Sequence, residues 1–336
     1  MSLATKYRPQ TFEDLLGQEH VKIILQKQLD TNTIKNTYLF CGPSGDGKTT
    51  IARILANRLN KNQGQPIEID AASNNGVDNI RSIIDDAKQR SIDSEYKIYI
   101  IDEAHMISQA GWNAFLKCIE EPPKYTIFMF CTTNPEKIPA TIINRCMRFN
   151  LSKVSTELIK KRLEYISQKE GFTNYDEACD FIAKISNGGV RDAIANLEKC
   201  ADYSNDLDIN NVLAALGNYS YEEFFKLTND LIDCQEGNVL ENLNRFFNSG
   251  KDVKLFIDQY LEFVLDLTKY SIFKDIKVTK LPTSLEEQLK YATGIENAVS
   301  YFNKLVETVL DIKNMIKNDP SASLTIQAMF IKSMRG

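Results

Sequence analysis

Between residues 36 and 151 the chain alternates short apolar runs with segments of helical periodicity. The apolar runs predict β-strands at 38–41, 67–70, 97–101, 126–131 and 147–151. Helical spacing predicts helices between them, at 48–59, 77–89 and 109–120. Such alternation is typical of a parallel sheet with helices on both faces. We therefore expect an α/β domain built on a five-stranded parallel sheet.

After Leu151 the strand pattern nearly stops and helical periodicity takes over. Helices are predicted at 155–171, 175–187, 190–203, 221–234, 238–249, 253–271, 284–292, 296–316 and 321–334. A turn-like segment at 217–220 separates the first three from the rest. The pattern predicts an α/β core at 1–152, an all-α domain at 153–217 and a second all-α domain at 218–336. Apolar stripes on the helices of the last domain favour a core inside that domain. Oligomerisation is the role we expect for it.

A glycine-rich segment at 42–49 has the pattern G-x-x-x-x-G-K-T. The strand before it and the helix after it are the context that a phosphate-binding loop requires, and they disfavour a chance glycine turn. In such a loop the backbone N–H groups and the helix N-terminus face a phosphate. We expect Lys48 to reach the β- and γ-phosphates and the Thr49 hydroxyl to ligate Mg²⁺. The predicted nucleotide-binding residues of this segment are Gly42, Pro43, Ser44, Gly45, Asp46, Gly47, Lys48, Thr49 and Thr50.

Two adjacent carboxylates, Asp102 and Glu103, end the strand predicted at 97–101. Ligands bind at the carboxyl ends of strands in parallel sheets. Asp102 is predicted to hold Mg²⁺ through water, and Glu103 to act as the general base on an attacking water. An acidic helix start is the alternative, and the phosphate loop upstream disfavours it.

Composition places the chain among ordinary globular proteins, with 43% hydrophobic and 25% charged residues in 336. There is no run of 18 apolar residues, so we expect no membrane span, and the start lacks a signal-peptide core. The expected location is cytoplasmic. With a net charge of −5, any nucleic-acid binding must use a local patch.

The seven cysteines and two histidines offer no metal-ligand spacing. No C-x-x-C pair occurs, so most cysteines are interpreted as small core residues and no zinc is expected. His105 lies two residues from Glu103. A structural role for His105 is favoured, and a minor role in the site stays open.

Several further segments together resemble the clamp-loader tau/gamma subunits of bacterial DNA polymerase III, which are AAA+ ATPases. The similar segments are Lys6-Tyr7-Arg8-Pro9-Gln10-Thr11-Phe12, Gly17-Gln18-Glu19-His20-Val21, residues 69–77, Asp102-Glu103-Ala104-His105-Met106, Glu120-Glu121-Pro122-Pro123 and Arg145-Cys146. The resemblance is strong over about residues 4–200 and otherwise rests on helical character. Many motifs in the same order make it specific.

The resemblance implies roles for further residues. Arg8, Pro9 and Val21 are similar to the segment lining the adenine pocket, and Thr133 to the sensor-1 residue near the γ-phosphate. Arg191 matches the sensor-2 arginine. Arg145 matches the arginine finger, which in this family reaches the ATP of the neighbouring subunit. Without the family, a solvated side chain or surface ion pair is an equal interpretation of these arginines.

Three features depart from the family pattern. The stretch 60–66 has no cysteine, where bacterial tau/gamma subunits usually carry a four-cysteine zinc module. Asn144 precedes Arg145 where the family has serine. The sequence ends at Gly336 without the long extension of the longer family form, so we expect a short, gamma-like subunit of bacterial or viral origin.

The resemblance implies an ATP-driven clamp loader acting in DNA replication. Its expected partners are other subunits in a ring, expected to be a pentamer, a sliding clamp and primer–template DNA. Asn74, Asn75 and Arg81 are candidate contacts to DNA phosphates. Turn chemistry explains the two asparagines nearly as well.

Two other functions are open from the residues. One is an AAA+ branch-migration helicase, which shares the phosphate loop and carboxylate pair but is disfavoured by the Glu-Glu-Pro-Pro segment and by the helical third domain. The other is a scaffold subunit that has lost its ATP site, which the presence of Lys48, Thr49, Asp102 and Glu103 disfavours.

Overall fold

A computed structural model of the chain describes residues 1–248, 250 and 252–335. The five predicted strands are confirmed to within one residue at each end. They are β1 Thr37–Cys41, β2 Ile67–Asp70, β3 Lys97–Asp102, β4 Thr126–Thr132 and β5 Met147–Asn150. All pair in parallel, in the order β2-β3-β4-β1-β5. The carboxyl ends of β1, β3 and β4 therefore meet at one edge of the sheet.

The three central strands, β1, β3 and β4, alternate their side chains between two buried faces, as a sheet covered on both sides requires. Tyr38 and Phe40 of β1 pack on one face, and Leu39 and Cys41 on the other. The first face is covered by apolar residues of the second and third helices of the chain, including Leu25 and Leu55. Residues such as Ile80 and Trp112 cover the second face. The sheet is thus the middle of three layers.

Helices precede the sheet, connect its strands and follow its last strand. In chain order they are α1 Leu3–Lys6, α2 Glu19–Thr31, α3 Lys48–Leu59, α4 Val77–Ala87, α5 Gln109–Glu120, α6 Ala140–Ile143, α7 Thr156–Glu170, α8 Tyr175–Ile185 and α9 Val190–Tyr203. Predicted helices at 48–59, 109–120 and 190–203 are confirmed at both ends. Helix α2 was missed: its polar face is broad, and Gln18 at its start makes no side-chain capping bond.

The rest of the described chain is also helical. Its helices are α10 Ile209–Leu216, α11 Tyr221–Ile232, α12 Glu236–Asn248, α13 Val253–Phe273, α14 Glu286–Ala292, α15 Ala298–Met315 and α16 Ala322–Arg335. Helix α10 was not predicted. The predicted helix at 238–249 begins two residues earlier, and Ser249 lies outside the described residues. Short 3₁₀ turns adjoin α14 and α15.

The chain forms two compact units. The first comprises residues 1–166 and 186–195 and contains the whole sheet; the second comprises residues 167–185 and 196–336. The second unit has its own core, rich in aromatic residues such as Phe224, Phe256 and Tyr260. The division into three domains at 152 and 217 stays a prediction. No helix within the described residues is both long and apolar enough to cross a bilayer.

Candidate nucleotide-binding site

The phosphate loop follows β1, at the edge where the ends of three strands meet. Two of its glycines adopt backbone conformations that side chains disfavour, with φ of +80° at Gly45 and +95° at Gly47. A Cβ atom added at Gly45 would also lie 3.3 Å from the Cα of Gly189. The turn therefore favours glycine at both positions, and at Gly45 the close approach of the segment that begins α9 favours it as well.

Lys48, the first residue of α3, is nearly buried beneath this loop. Its exposed fraction is 6%, and its Nζ donates to the backbone carbonyl of Gly42 at 2.8 Å and to that of Pro43. The ammonium group is thereby fixed inside the curve of the loop. The first N–H groups of α3 have no carbonyl partner within the helix, so the loop combines a fixed cation with a helix N-terminus, an arrangement suited to phosphate.

Thr49 and Asp102 meet across the edge of the sheet. The Thr49 hydroxyl donates to Asp102 Oδ2 at 2.8 Å, and Asp102 Oδ1 accepts the backbone N–H of Glu103 at 3.0 Å. A hydroxyl and a carboxylate at this distance form the start of an oxygen ligand set, which is what Mg²⁺ prefers. The donor chemistry therefore fits the magnesium ion expected from the sequence.

Glu103 follows the end of β3 with a strained backbone and a restrained side chain. Its φ is +47°, which is uncommon outside glycine. Its Oε2 accepts a hydrogen bond from the Thr133 hydroxyl at 3.1 Å and lies 3.2 Å from His105 Nδ1. His105 Nδ1 also lies 3.1 Å from the Thr132 hydroxyl. Thr133 and His105, which come from different segments, thus hold one carboxylate oxygen.

A cavity of about 210 Å³ lies beside these residues, within the first unit. The phosphate loop and the carboxylate pair line it with residues 44–50, Asp102 and Glu103. Arg8, Pro9 and Arg191, which were predicted from the family resemblance, also line it. Val21 is placed elsewhere: it is fully buried in the core between α2 and the sheet. Gly42 and Pro43 contribute through their carbonyls to Lys48.

Sequence reasoning missed several residues of this cavity, chiefly Arg162 and the apolar pair Leu15 and Leu16. The Arg162 guanidinium donates to the carbonyl of Tyr7 at 2.7 Å and lies 5.5 Å from the ring centroid of Tyr165. No local pattern marks Arg162, because an arginine on an amphipathic helix ordinarily faces solvent. With Arg8, Lys48 and Arg191 it makes the cavity rich in cations.

Asp46 is an unusual member of the phosphate loop. Only 3% of its surface is exposed, and within the part of the chain that the structure describes neither carboxylate oxygen has a hydrogen-bond partner. Burial raises the pKa of Asp46 to about 6, and the charges of Lys48 and Lys153 offset only part of that rise. A buried carboxylate without hydrogen-bond partners next to a phosphate cradle is costly, both for folding and for anion binding.

Arg145 lies apart from the cavity. It follows α6, and its Nη2 pairs with Glu120 Oε1 at 2.6 Å while its Nη1 donates to the carbonyl of Thr141 at 2.7 Å. The guanidinium is partly exposed, with 38% of its side-chain surface accessible. The chain's own cavity therefore does not receive this arginine, and the pairing with Glu120 was not predicted.

The candidate DNA contacts also lie outside the cavity: Asn74 and Asn75 lie between β2 and α4, and Arg81 lies within α4. Asn74 bonds to the carbonyl of Asp70 through both its backbone and its side chain. Asn75 accepts the backbone N–H of Ser108 at 3.3 Å. Arg81 is exposed and pairs with Asp78 at 3.2 Å. Asn74 therefore has turn-forming contacts of its own, the backbone carbonyl of Asn75 bonds to a distant segment, and Arg81 is accessible from solvent.

This sheet, loop and carboxylate pair define a P-loop nucleotide-binding protein with an AAA+ fold. Among solved structures the chain is similar to the Holliday junction branch migration motor RuvB of Thermotoga maritima, with a TM-score of 0.53 and 20% identity over 68% of this chain and 80% of that one. At that identity the likeness concerns the fold alone. A family model described as "DNA polymerase III, delta subunit" matches residues 66–155.

Curated relatives define the family more closely. The chain is 36% identical to DNA polymerase III subunit tau of Bacillus subtilis over 327 residues, which cover 89% of this chain and 58% of that protein. It is 34% identical to DNA polymerase III subunit gamma of Buchnera aphidicola, covering 81% of each. It spans 41% of the tau subunits of Salmonella typhimurium and Escherichia coli. The chain belongs to the DNA polymerase III tau/gamma subunit family.

Proposed function

We propose that this chain is an ATP-hydrolysing subunit of a clamp loader in DNA replication. In this proposal, ATP-driven conformational change opens a sliding clamp and places it on primer–template DNA, and hydrolysis releases it. The observation that carries the proposal is the convergence of Lys48, Thr49, Asp102, Glu103 and Thr133 at one edge of the sheet. Membership of the tau/gamma family supports the replication role, and a cytoplasmic location at the replication machinery follows from it.

In this proposal, ATP is bound by positively charged groups that hold its phosphates and by a cavity that accommodates its base and ribose. Lys48 and the loop amides hold the phosphates, while Arg8 and Pro9 bound the part of the cavity suited to the base and ribose. Arg191, at the start of α9, faces the same cavity and acts as the sensor-2 arginine. A Mg²⁺ ion held by Thr49 and Asp102 would neutralise charge on the β- and γ-phosphates.

Hydrolysis uses Glu103 as the general base. Its carboxylate accepts a proton from the attacking water as the water oxygen bonds to the γ-phosphorus and ADP leaves. Thr133 and His105 hold the carboxylate in one position, which is useful because proton transfer requires hydrogen-bond distance to the water. In this proposal Thr133 also acts as the sensor-1 residue for the γ-phosphate.

Arg145 acts on the ATP of a neighbouring subunit. Its distance from the chain's own cavity and its partial exposure support an action in trans. We propose a ring of subunits, expected to be a pentamer, in which each ATP lies beside the Arg145 of the next chain. The helical second unit would supply the ring contacts, and Arg81, with Asn74 and Asn75, would face DNA phosphates.

The most direct experiment measures the ATPase rate with and without primed DNA and a sliding clamp. Stimulation that needs both ligands supports a clamp loader. Duplex unwinding without clamp stimulation would support a branch-migration motor instead. Absence of ATP hydrolysis under every condition would point to a scaffold subunit.

Arg145→Ala tests the action in trans. Isolated chains should bind nucleotide normally, but the stimulated rate should fall, because an arginine finger contributes about 10³–10⁵-fold. Mixing Arg145→Ala chains with Lys48→Ala chains should restore part of the rate, since an intact Arg145 can then face an intact phosphate loop. The measurement is ATPase rate against mixing ratio. With ring assembly verified, no rise at any ratio would indicate an arginine acting in cis.

A further inference from the structure

The segment Glu120-Glu121-Pro122-Pro123, which begins at the last residue of α5, contributes no residue to the nucleotide-binding cavity. Glu120 is the last residue of α5, and the two prolines prevent the helix from continuing. Its Oε1 lies 2.6 Å from Nη2 of Arg145, and the other terminal nitrogen of that arginine donates to the carbonyl of Thr141. The motif therefore meets the arginine across a gap of 25 residues in sequence.

The Glu120 carboxylate contributes little to the stability of the fold. The side chains of Glu120 and Arg145 are 41% and 38% exposed, and exposed ion pairs contribute about 0–1 kcal/mol. A negative charge at the C-terminus of a helix is also disfavoured by the helix dipole. Neither the helix nor the fold gains much from a glutamate here, so its value lies in what it does to Arg145.

The effect on Arg145 is to restrict it. A free arginine side chain samples many rotamers, worth about 2 kcal/mol of entropy. Contacts from Glu120 and Thr141 fix two of the five N–H donors of the guanidinium, which leaves three for phosphate oxygens. Because arginine stays protonated beside a carboxylate, the pairing orients the charge without removing it.

We propose that Glu120 is a positioning residue for Arg145 and holds its guanidinium in the orientation that reaches the ATP of the neighbouring subunit. This inference rests on the proposed function, in which Arg145 acts in trans. It predicts that Glu120 affects turnover at the neighbour's site and leaves the chain's own nucleotide affinity unchanged.

Rings that contain two kinds of variant chain separate an effect on turnover at the neighbour's site from an effect on the chain's own nucleotide binding. A Lys48→Ala chain contributes only its Arg145, and an Arg145→Ala chain contributes only its nucleotide site, so the mixture reports the finger alone. Adding Glu120→Ala to the Lys48→Ala chain should lower kcat by about 10- to 100-fold, the scale expected for a misplaced catalytic group. KM for ATP should not change, because the site that binds ATP is untouched.

Two variants of the same motif serve as controls. Glu121→Ala removes the adjacent, exposed carboxylate and should leave the mixture at full rate. Glu120→Gln keeps an oxygen within reach of the guanidinium and should retain more activity than Glu120→Ala. This ranking is not expected from a general loss of structure, which ring assembly of each variant would report.

The outcomes distinguish the two levels of the proposal. If the mixture of Lys48→Ala and Arg145→Ala chains shows no activity, action in trans is wrong and the role of Glu120 falls with it. If that mixture is active and Glu120→Ala leaves kcat unchanged or raises it, the positioning role alone is overturned. A rise in kcat would mean that Glu120 holds the arginine back.

Discussion

Each of the two compact units buries an aspartate, and the two carboxylates have opposite surroundings. Asp46, in the phosphate loop, is 3% exposed and has no hydrogen-bond partner among the described residues. Asp266, in α13, is 2% exposed, but it pairs with Lys269 Nζ at 2.7 Å and accepts the backbone N–H of Lys280 at 2.9 Å. The two carboxylates are therefore buried to a similar extent, but within the described chain only Asp266 has hydrogen-bond and ion-pair partners that offset the cost of burial.

The difference between the two aspartates shows which unit of the protein contains energetically unfavourable groups. The second unit satisfies its buried charge, as a packed core must. The first unit leaves the Asp46 carboxylate without a hydrogen-bond partner among the described residues and holds Glu103 at a positive φ, both beside the cavity. Strain and unsatisfied groups concentrate where a site needs particular groups in particular places. Substitutions at three positions test this contrast.

The largest effect is expected for Glu103→Gln. Turnover should fall by about 10²–10⁴-fold, because an amide is a poor base, while ATP binding and unfolding free energy stay near those of the parent. Rapid-quench ATPase assays and urea unfolding measure the two quantities. A variant that hydrolyses ATP at the parent rate would show that Glu103 is not the base.

Asp266→Ala should lower the unfolding free energy and leave ATP binding unchanged. Loss of the carboxylate leaves the Lys280 N–H and the Lys269 ammonium without their acceptor, at a cost of about 1–3 kcal/mol of unfolding free energy. ATP affinity should not change, because these contacts lie within the second unit. Asp266→Asn, which keeps an acceptor oxygen, should lose less. An unchanged midpoint of urea unfolding for Asp266→Ala would contradict the contrast.

Asp46→Asn should stabilise the chain, by about 1–2 kcal/mol at pH 7, since each unit of pKa shift corresponds to about 1.4 kcal/mol and the buried amide still lacks partners. The pKa of about 6 lies above the ordinary value of 3.8, so the folded state binds this proton more tightly than the unfolded state. The penalty in the parent grows as pH rises from 3.8 to about 6 and is constant above that.

Unfolding at several pH values measures this effect. The advantage of Asp46→Asn should be largest at pH 7 and should shrink toward zero near pH 4. A stabilisation that is independent of pH would mean that charge burial is not its cause. A loss of stability at pH 7 would mean that the charges of Lys48 and Lys153 offset the whole cost of burying the Asp46 carboxylate, and not only part of it.

Short-range features were predictable from the sequence. The phosphate loop, Lys48 at the start of α3 and the carboxylates after β3 each depend on a strand, a turn and a helix that are neighbours in the chain. Alternating and helical periodicities carry that information, because they reflect which faces must be buried. The five strands and the edge at which Thr49 meets Asp102 could be expected on this basis.

Long-range packing decided the rest. Thr133 reaches Glu103 from 30 residues away, Arg162 reaches Tyr7 from 155 residues away, and Glu120 meets Arg145 across 25. Val21 enters the core instead of the cavity, and Asp46 is buried instead of solvated, because neighbouring layers close over them. A sequence specifies such contacts only through the complete fold, since the side chains involved carry no local pattern and their distances depend on how helices and sheet pack.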